Sequence, residues 1–231
     1  MKYLIVNGDD FGASPGINRG IVEAHRCGIL TSTSLLVDAP CSEEAAILSR
    51  AVPDLSVGLH VHLANEESMA VATPRNGDYC CAELRRQFNR FKELMGQPPT
   101  HLDSHHNAHR DLRWLPHFLR FAREHALSLR EHSPIRCFTK FYGQWGGESH
   151  LEQISPASLA CMLEAELEKG VTELSCQPGF VDPGFSTSYA VERQIELQTL
   201  CDPIIRQVLT GQSIQLINHR EAASLLAALP S

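Results

Sequence analysis

The chain has 231 residues, of which 43% are apolar and 20% are charged, and its formal net charge is −7. This composition excludes a disordered chain, a collagen and a coiled coil, and the lack of any Lys/Arg run argues against a nucleic-acid partner. The length favours one domain over residues 1–231, because α/β barrels commonly reach about 250 residues as a single unit.

The amino-terminal segment is predicted to be a buried strand and not a targeting signal. Its short apolar run meets Asp9 and Asp10 before it reaches the length of a signal-peptide core. No apolar run approaches the roughly 18 residues that span a bilayer. The eight cysteines form no C-x-x-C pair, which is typical of reduced thiols and argues against a structural zinc site. We therefore expect a cytoplasmic protein without a membrane span.

Short runs rich in Val, Ile and Leu alternate along the chain with longer helix-like segments. The apolar runs predict strands at 2–7, 31–37, 55–61, 100–104, 127–130, 172–176 and 214–217. The other segments predict helices at 15–27, 43–52, 80–95, 113–126, 156–169, 189–209 (which Pro203 can interrupt) and 220–228. Ser14-Pro15 and Ser155-Pro156 are typical helix starts, and Gly28 and Gly170 suit helix ends.

This alternation of strands and helices predicts a parallel sheet, because parallel strands need crossover helices between them. Two architectures fit the pattern: an open doubly wound sheet, or a closed or nearly closed barrel. Both place function at the carboxyl ends of the strands. We therefore expect reactive side chains to cluster directly after the apolar runs.

Polar residues do cluster at or just after the carboxyl ends of four of the predicted strands, in the segments 7–12, 58–62, 100–109 and 173–179. In the first of them, Asp9 and Asp10 are adjacent carboxylates that repel each other. Such a pair persists at low cost when one member binds a cation or has a raised pKa. The alternative interpretation is that one of the two caps the turn or helix that follows.

Histidines are concentrated in two of these segments. Four of the chain's twelve histidines lie between residues 101 and 109, and His60 and His62 share one face of an extended chain. Imidazole and carboxylate together form a ligand set for zinc, iron, nickel, cobalt or manganese. A metal on two histidines and one aspartate keeps positions open for water and substrate, and a second carboxylate can take a proton from that water.

The segment 7–12, NGDDFG, resembles the NADDFG motif that opens the YdjC-like carbohydrate deacetylases. The segments SPGINRGI at 14–21 and GILTSTS at 28–34 continue the resemblance, and GLH at 58–60 matches a further family segment. THLDSHH at 100–106, closed by His109, matches another. Segments 141–144 and 181–183 resemble one branch of the family, so the resemblance covers nearly the whole chain.

The resemblance implies an α/β fold with a single irregular (β/α) barrel of about seven parallel strands. It also implies one divalent metal, Mg²⁺ or Zn²⁺, and hydrolysis of the N-acetyl group of an amino sugar, an N-acetylated oligosaccharide or a glycolipid head group. The family's metal ligands correspond to Asp10, His60 and His105. Asp9 corresponds to the general base, by analogy with related polysaccharide deacetylases.

Gln177 departs from the family pattern, because the sequence has Cys-Gln-Pro-Gly at 176–179 where the family usually has Cys-His-Pro-Gly. A glutamine donates a hydrogen bond but cannot transfer a proton at neutral pH. If the family histidine protonates the leaving amine, His62, His106 or His109 must take over that role, or turnover is slow. The other departure, Gly8 for alanine, exchanges one small residue for another.

The segment 136–150 is rich in aromatic residues and glycine, and it contains Tyr142 and Trp145. It predicts either a mobile lid whose rings stack on sugars or a loop packed on the barrel rim.

Three other functions stay open: a metal-dependent hydrolase of another amide, ester or phosphoester, a sugar- or metal-binding barrel without turnover, and a scaffold without metal. A phosphoesterase needs a basic clamp, and only Arg19 and Arg110 lie near predicted strand ends. A homodimer is a common state of barrels, and no feature of the sequence itself indicates the assembly.

Overall fold

Strands and helices alternate from the first residues onward in the computed structural model, which describes residues 1–63 and 74–228. The strands are β1 (Lys2–Phe11), β2 (Ser32–Leu35), β3 (Ser56–Val61), β4 (His101–Ser104), β5 (Ser128–Leu129), β6 (Arg136–Phe138), β7 (Gln144–Trp145), β8 (Glu148–Ser149), β9 (Gly170–Cys176) and β10 (Ile214–Leu216). The helices are α1 (Pro15–Arg26), α2 (Ser42–Arg50), α3 (Pro74–Met95), α4 (Leu115–Glu124), α5 (Pro156–Glu166), α6 (Ala190–Cys201), α7 (Pro203–Gly211) and α8 (His219–Ala227).

The main sheet is parallel, with the strand order β5-β4-β3-β2-β1-β9-β6. β9 pairs with one edge of β1. The other edge of β1 pairs with β10 at Lys2–Leu4 and with β2 from Asn7 onward. Within the described ranges no ladder joins the end strands β5 and β6. The sheet is therefore a curled, incomplete barrel, which confirms the predicted irregular barrel.

Side chains that cross the interior show how strongly the sheet curls. Arg130, directly after β5, lies 2.7 Å from the carboxylate of Glu173 on β9. In a flat sheet these strands would be about 24 Å apart, five spacings of about 4.8 Å each. One arginine side chain bridges them only because the strands wrap around a common interior.

The helices pack outside the sheet and begin where the sequence predicts. Ser14 accepts a hydrogen bond from the backbone N–H of Ile17, and α1 buries Ile17 and Ile21 in the main core. Ser155 caps α5 in the same way. Asp202 separates α6 from α7 and caps α7, which confirms the break at Pro203. No helix of the described part of the chain is long and apolar enough to cross a bilayer.

Several local predictions differ from the structure, and α3 begins at Pro74 instead of residue 80. β1 extends to Phe11, beyond the predicted end at residue 7, and α5 ends at Glu166, so that Gly170 starts β9 and does not end a helix. The sequence pattern did not predict β6 or the β7–β8 hairpin. These strands have two or three residues each, which is too short for the apolar periodicity from which strands were predicted.

Candidate active site

A cavity of about 770 Å³ opens at the carboxyl ends of the strands. Its wall contains the predicted site residues Asp9, Asp10, His60, His62, His105, His106, Tyr142 and Gln177. The curl of the sheet brings these side chains together from separate strand ends. His109 is not one of the described residues that line the cavity.

A bulge at the end of β1 turns both aspartates toward the cavity. Side chains of consecutive strand residues normally point to opposite faces of a sheet. Here the register between β1 and β2 shifts between Gly8 and Phe11, and Asp10 has a φ of 68°, in the left-handed region. Bulges re-aim side chains in this way next to functional sites. Both Asp9 and Asp10 therefore face the same space, although they are adjacent in the sequence.

The three predicted metal ligands converge on one point. One carboxylate oxygen of Asp10, Oδ1, lies 3.4 Å from Nε2 of His60 and 3.1 Å from Nδ1 of His105. β1, β3 and the turn after β4 supply one residue each. The three ligand atoms lie within 4.8 Å of one another, so a single divalent cation fits between them. Two imidazoles and one carboxylate suit a transition-metal ion such as zinc.

The surroundings of this group support that fit. His60 is opposite Asp103 in the β3–β4 ladder, and its Nδ1 lies 2.7 Å from the Asp103 carboxylate. Metal-binding histidines usually hold a carboxylate or carbonyl on the second ring nitrogen in this manner. Arg193 on α6 binds the other oxygen of Asp10 at 2.5 Å, which leaves Oδ1 of Asp10 for a cation.

The electrostatics of the group are those of a cation site. Burial alone lowers the pKa of His60, but Asp103 and Asp10 raise it to about 10. Burial raises the pKa of Asp10, but hydrogen bonds to His105 and His60 hold it well below its usual value. The carboxylates thus attract positive charge to this point. Either a proton on His60 or a bound cation can supply that charge.

Asp9 lies beside this group and is fixed by a buried arginine. Its two carboxylate oxygens each accept a hydrogen bond of 2.8 Å from the guanidinium of Arg130. The amide of Asn7 donates to the same carboxylate at 2.9 Å. Arg130 also lies 2.7 Å from Asp103 and 2.7 Å from Glu173. Burial opposes the charge of Arg130, but the surrounding carboxylates raise its pKa well above the usual value.

A second group of possible ligands, Asp9, His60 and Asp103, also lies within ligand distance. All three residues are buried, and Arg130 contacts both carboxylates. The guanidinium therefore already supplies the positive charge there, so the group with Asp10 and His105 is the better cation site.

Two arginines of the site were missed by the sequence analysis, which found only Arg19 and Arg110 near strand ends. Arg130 stands at the end of a predicted strand, and that position was a usable sign of a role in the site. Arg193 lies in the first turn of α6, where nothing in the local sequence distinguishes it from a surface residue. Of the two arginines that lie near predicted strand ends, Arg110 lines the cavity, and Arg19 is not among the described residues that line it.

A buried carboxyl group lies next to the position of the missing family histidine. Glu196 on α6 lines the cavity, and one of its oxygens accepts a hydrogen bond from the backbone N–H of Gln177. Its other oxygen accepts a hydrogen bond of 2.5 Å from the Tyr189 hydroxyl. Burial raises the pKa of Glu196 to about 7, although hydrogen bonds from Tyr189 and Gln177 act in the opposite direction.

The three histidines considered as substitute acids occupy different environments. His62 and His106 line the cavity, and the His62 ring meets the His105 ring edge-on at 5.3 Å. Burial lowers the pKa of His62. His109 is buried, with its Nδ1 2.7 Å from the Ser104 hydroxyl, and burial lowers its pKa to about 4. His109 is therefore neutral at pH 7 and supports the turn after β4.

Comparison with known proteins identifies the family. The model of the YdjC-like protein family matches residues 3–211. The chitooligosaccharide deacetylase of Klebsiella pneumoniae (strain 342) is 32% identical over 253 aligned positions, which cover 95% of this chain and 99% of that protein. The chitooligosaccharide deacetylase of Proteus mirabilis (strain HI4320) is 33% identical, with 94% and 98% covered.

Solved structures share the fold. A protein from Enterococcus faecalis V583, provisionally assigned to cellobiose-phosphate cleavage, superposes with a TM-score of 0.81 at 26% identity, covering 95% of this chain and 98% of that one. A family 4 carbohydrate esterase from Streptomyces lividans superposes with a TM-score of 0.59 at 13% identity, covering 93% and 91%. The match of the family model over residues 3–211 and the relatives at 32% and 33% identity establish that the chain belongs to the YdjC-like family.

Proposed function

We propose that this chain is a metal-dependent carbohydrate deacetylase, which hydrolyses the N-acetyl group of an amino sugar and releases acetate. The observation that carries the proposal is the convergence of Asp10, His60 and His105 on one point beside Asp9, in the wall of a large cavity. The names of the chitooligosaccharide deacetylase relatives support the substrate class. Of Mg²⁺ and Zn²⁺, the two imidazole nitrogens favour Zn²⁺.

The chain's own residues divide the chemistry between them. A divalent cation on Asp10, His60 and His105 would polarise the acetyl carbonyl and lower the pKa of water. Asp9 accepts a proton from the attacking water, and Arg130 and Asn7 hold its carboxylate in one orientation. A carbon–oxygen bond forms to the acetyl carbon, the carbon–nitrogen bond breaks, and the departing amine takes up a proton.

The proton for the amine comes from Glu196 in this proposal. Gln177 cannot transfer a proton, but Glu196 contacts the backbone of Gln177 and lines the same cavity. With a pKa of about 7, Glu196 holds a proton on a large fraction of molecules at neutral pH. His62, His106 and Tyr142 also line the cavity, and we assign them to contacts with the sugar.

A phosphoesterase fits the cavity less well. Phosphate recognition uses arginines whose donors are available to the ligand. The two guanidinium groups deep in the cavity are already paired, Arg130 with three carboxylates and Arg193 with Asp10. A barrel that binds sugar without turnover remains the alternative, because Gln177 lacks the proton-transfer chemistry of the family histidine.

Metal content and acetate release, measured together, test the proposal. We expect about one divalent ion per chain by elemental analysis, and acetate release from N-acetylated glucosamine oligosaccharides. Asp9→Asn is expected to keep the metal and lose about 10²- to 10⁴-fold in kcat. His105→Ala is expected to lose both the metal and the activity.

Two exposed residues, Asp54 and His132, provide matched controls as Asp54→Asn and His132→Ala, which are expected to match the wild type. Unchanged acetate release by Asp9→Asn would overturn the assignment of the base. Full activity of a wild-type chain stripped of metal would overturn the role of the cation. Sugar binding by a metal-loaded wild type that releases no acetate would establish the barrel without turnover.

A further inference from the structure

A cysteine on the helical layer outside the sheet lies against two basic side chains of a neighbouring helix. The Sγ atom of Cys81 on α3 lies 3.1 Å from Nδ1 of His117 and 2.8 Å from a guanidinium nitrogen of Arg120. His117 and Arg120 are three positions apart on α4, so both project from the same side of that helix. None of these three side chains is among the described residues that line the cavity. The group is therefore separate from the proposed active site.

A glycine of α3 makes room for the imidazole. Gly77 lies four positions before Cys81, one turn away on the same side of the helix. A Cβ atom at Gly77 would lie 2.8 Å from Nε2 and 2.9 Å from Cε1 of His117, so any larger residue would push the ring away. A glycine inside a helix typically costs about 1 kcal/mol relative to alanine. Here it lets the His117 ring lie across α3 with its other nitrogen on the Cys81 sulfur.

The two partners suit a thiol that reacts as a nucleophile. The thiolate attacks electrophiles, and basic or cationic neighbours favour its formation. The nitrogen of His117 that faces the sulfur can accept the thiol proton, as imidazole does in Cys–His pairs. The guanidinium of Arg120 donates a hydrogen bond to the sulfur and keeps its positive charge. Glu124 lies farther from that guanidinium, at 3.9 Å. Cys81 therefore contacts both a base and a fixed positive charge.

The environments of other cysteines differ from that of Cys81. Cys80, the preceding residue, is buried, and burial raises the pKa of its thiol to about 12. Cys27 and Cys161 are exposed, and a hydrogen bond with Glu23 raises the pKa of Cys27. Cys81 is only partly exposed. Exposure alone therefore ranks Cys27 and Cys161 as more reactive, whereas the basic partners rank Cys81 first.

We infer that Cys81 is a site of reversible covalent modification, at which a low-molecular-weight disulfide forms a mixed disulfide with the chain. His117 takes the thiol proton, and the Cys81 thiolate attacks one sulfur of the disulfide. A new sulfur–sulfur bond forms as the original one breaks, and the leaving thiolate takes the proton from His117. Cys81 is oxidised, and half of the small disulfide is reduced to a free thiol. The side chain of Arg120 is 53% exposed, so the reagent reaches the group from solvent. The inference does not depend on the proposed deacetylase function.

Timed labelling of the full, reduced wild-type chain tests the ranking of its cysteines. The probe is dithiobis(nitrobenzoate), an aromatic disulfide, added at less than one equivalent so that the folded chain reacts. After acid quenching, mass spectrometry of peptides identifies the labelled thiols, and fragment ions distinguish Cys81 from Cys80. We expect Cys81 to be labelled at least about tenfold faster than Cys27 or Cys161. Equal or faster labelling of either exposed cysteine would overturn the inference.

Substitution of the two partners tests their role. His117→Gln and Arg120→Gln are each expected to slow the labelling of Cys81 by about tenfold and to leave the exposed cysteines unaffected. His132→Gln and Arg123→Gln, at exposed positions, are the matched controls and should keep the wild-type rate. An unchanged Cys81 rate in either partner variant would overturn the inference.

The same measurement reports whether a variant is folded, because the buried thiol of Cys80 is labelled quickly only after unfolding. If a partner variant unfolds, the ranking in the wild type still decides the inference. Glutathione disulfide then tests the class of ligand. We expect one glutathione adduct on Cys81, which dithiothreitol removes. Failure of glutathione disulfide to form this adduct would overturn the assignment of Cys81 to small disulfides.

Discussion

The wall of the cavity and its rim are built in different ways. Asp9, Asp10 and His60 are buried at the ends of β1 and β3, and each has several charged or hydrogen-bonding partners. Tyr142 at the rim is 41% exposed, and a few hydrogen bonds hold its segment. The residues of the proposed chemistry are thus fixed on strands, where small displacements are costly, and the residues of the rim lie on loops, which tolerate adjustment.

The largest expected effect is the loss of stability when the ion pairs of the cavity wall are removed. Arg130→Met removes the cation that Asp9, Asp103 and Glu173 share in the interior. Breaking a buried ion pair by removing one partner typically costs about 3–5 kcal/mol, because an uncompensated charge stays buried. We expect at least that loss in the free energy of unfolding, measured by denaturant titration, together with loss of acetate release.

Arg90→Met provides the contrast, because Arg90 forms exposed ion pairs with Glu43 and Glu93. Exposed pairs contribute about 0–1 kcal/mol. If the two arginine variants unfold with the same free energy, the interior network does not stabilise the wall as described.

The next effect is on activity, and it concerns Glu196, which connects the cavity wall to the rim. Glu196 contacts Gln177 on one side and Tyr189 on the other, and the Tyr189 hydroxyl in turn binds Gly143 before the hairpin. Because Glu196 must hold a proton to donate it, wild-type kcat/KM should fall as pH rises through about 7. Glu196→Gln should lower acetate release by about 10²-fold and remove that limb from the pH profile. An unchanged profile would show that another group supplies the proton.

Stability provides a second measurement on the same residue. The pKa of Glu196 is about 7 in the folded chain, above its ordinary value of 4.5. Between these values the folded chain holds more protons than the unfolded chain, so stability falls as pH rises. Relative to Glu196→Gln, the wild type should lose about 3 kcal/mol from pH 4 to pH 8. Glu164→Gln, at an exposed position on α5, is the control and should follow the wild type.

The smallest expected effect is that of Gln177→His. Restoring a missing general acid would raise the rate by about 10²- to 10⁴-fold. Because we assign proton supply to Glu196, we expect kcat to change by less than about tenfold. A larger gain would show that the wild-type site lacks its acid and would favour the sugar-binding barrel with weak turnover.

The fold could be predicted from local patterns in the sequence, and the three candidate metal ligands from the resemblance to the YdjC-like family. Alternating apolar runs and helices predict parallel strands, and the ends of parallel strands meet at one edge of a sheet. Asp10 and His105 follow such runs, and His60 lies at the carboxyl end of one. Their convergence is therefore a consequence of topology, and the resemblance to the YdjC-like family identified the same three residues.

The partners of these residues could not be predicted in the same way. Arg130 reaches Asp9 across 121 positions of sequence, and Arg193 reaches Asp10 across 183. Such pairs depend on how far the sheet curls and where α6 packs, which no local pattern contains. The pKa of Glu196 likewise depends on burial by residues distant in the chain. The hairpin at 144–149 is set by two glycines in a turn, and its strands are too short to show a period.

The bulge between Gly8 and Phe11 has a consequence for how the family can vary in length. Deleting one residue there would restore the regular pleat and rotate either Asp9 or Asp10 away from the cavity. An inserted residue would move the ligand relative to His60 and His105. The tip of the hairpin, with open space around Gly146 and Gly147, meets no such restriction. Insertions and deletions are therefore tolerated at the rim, while the strand that carries the carboxylates must keep its length.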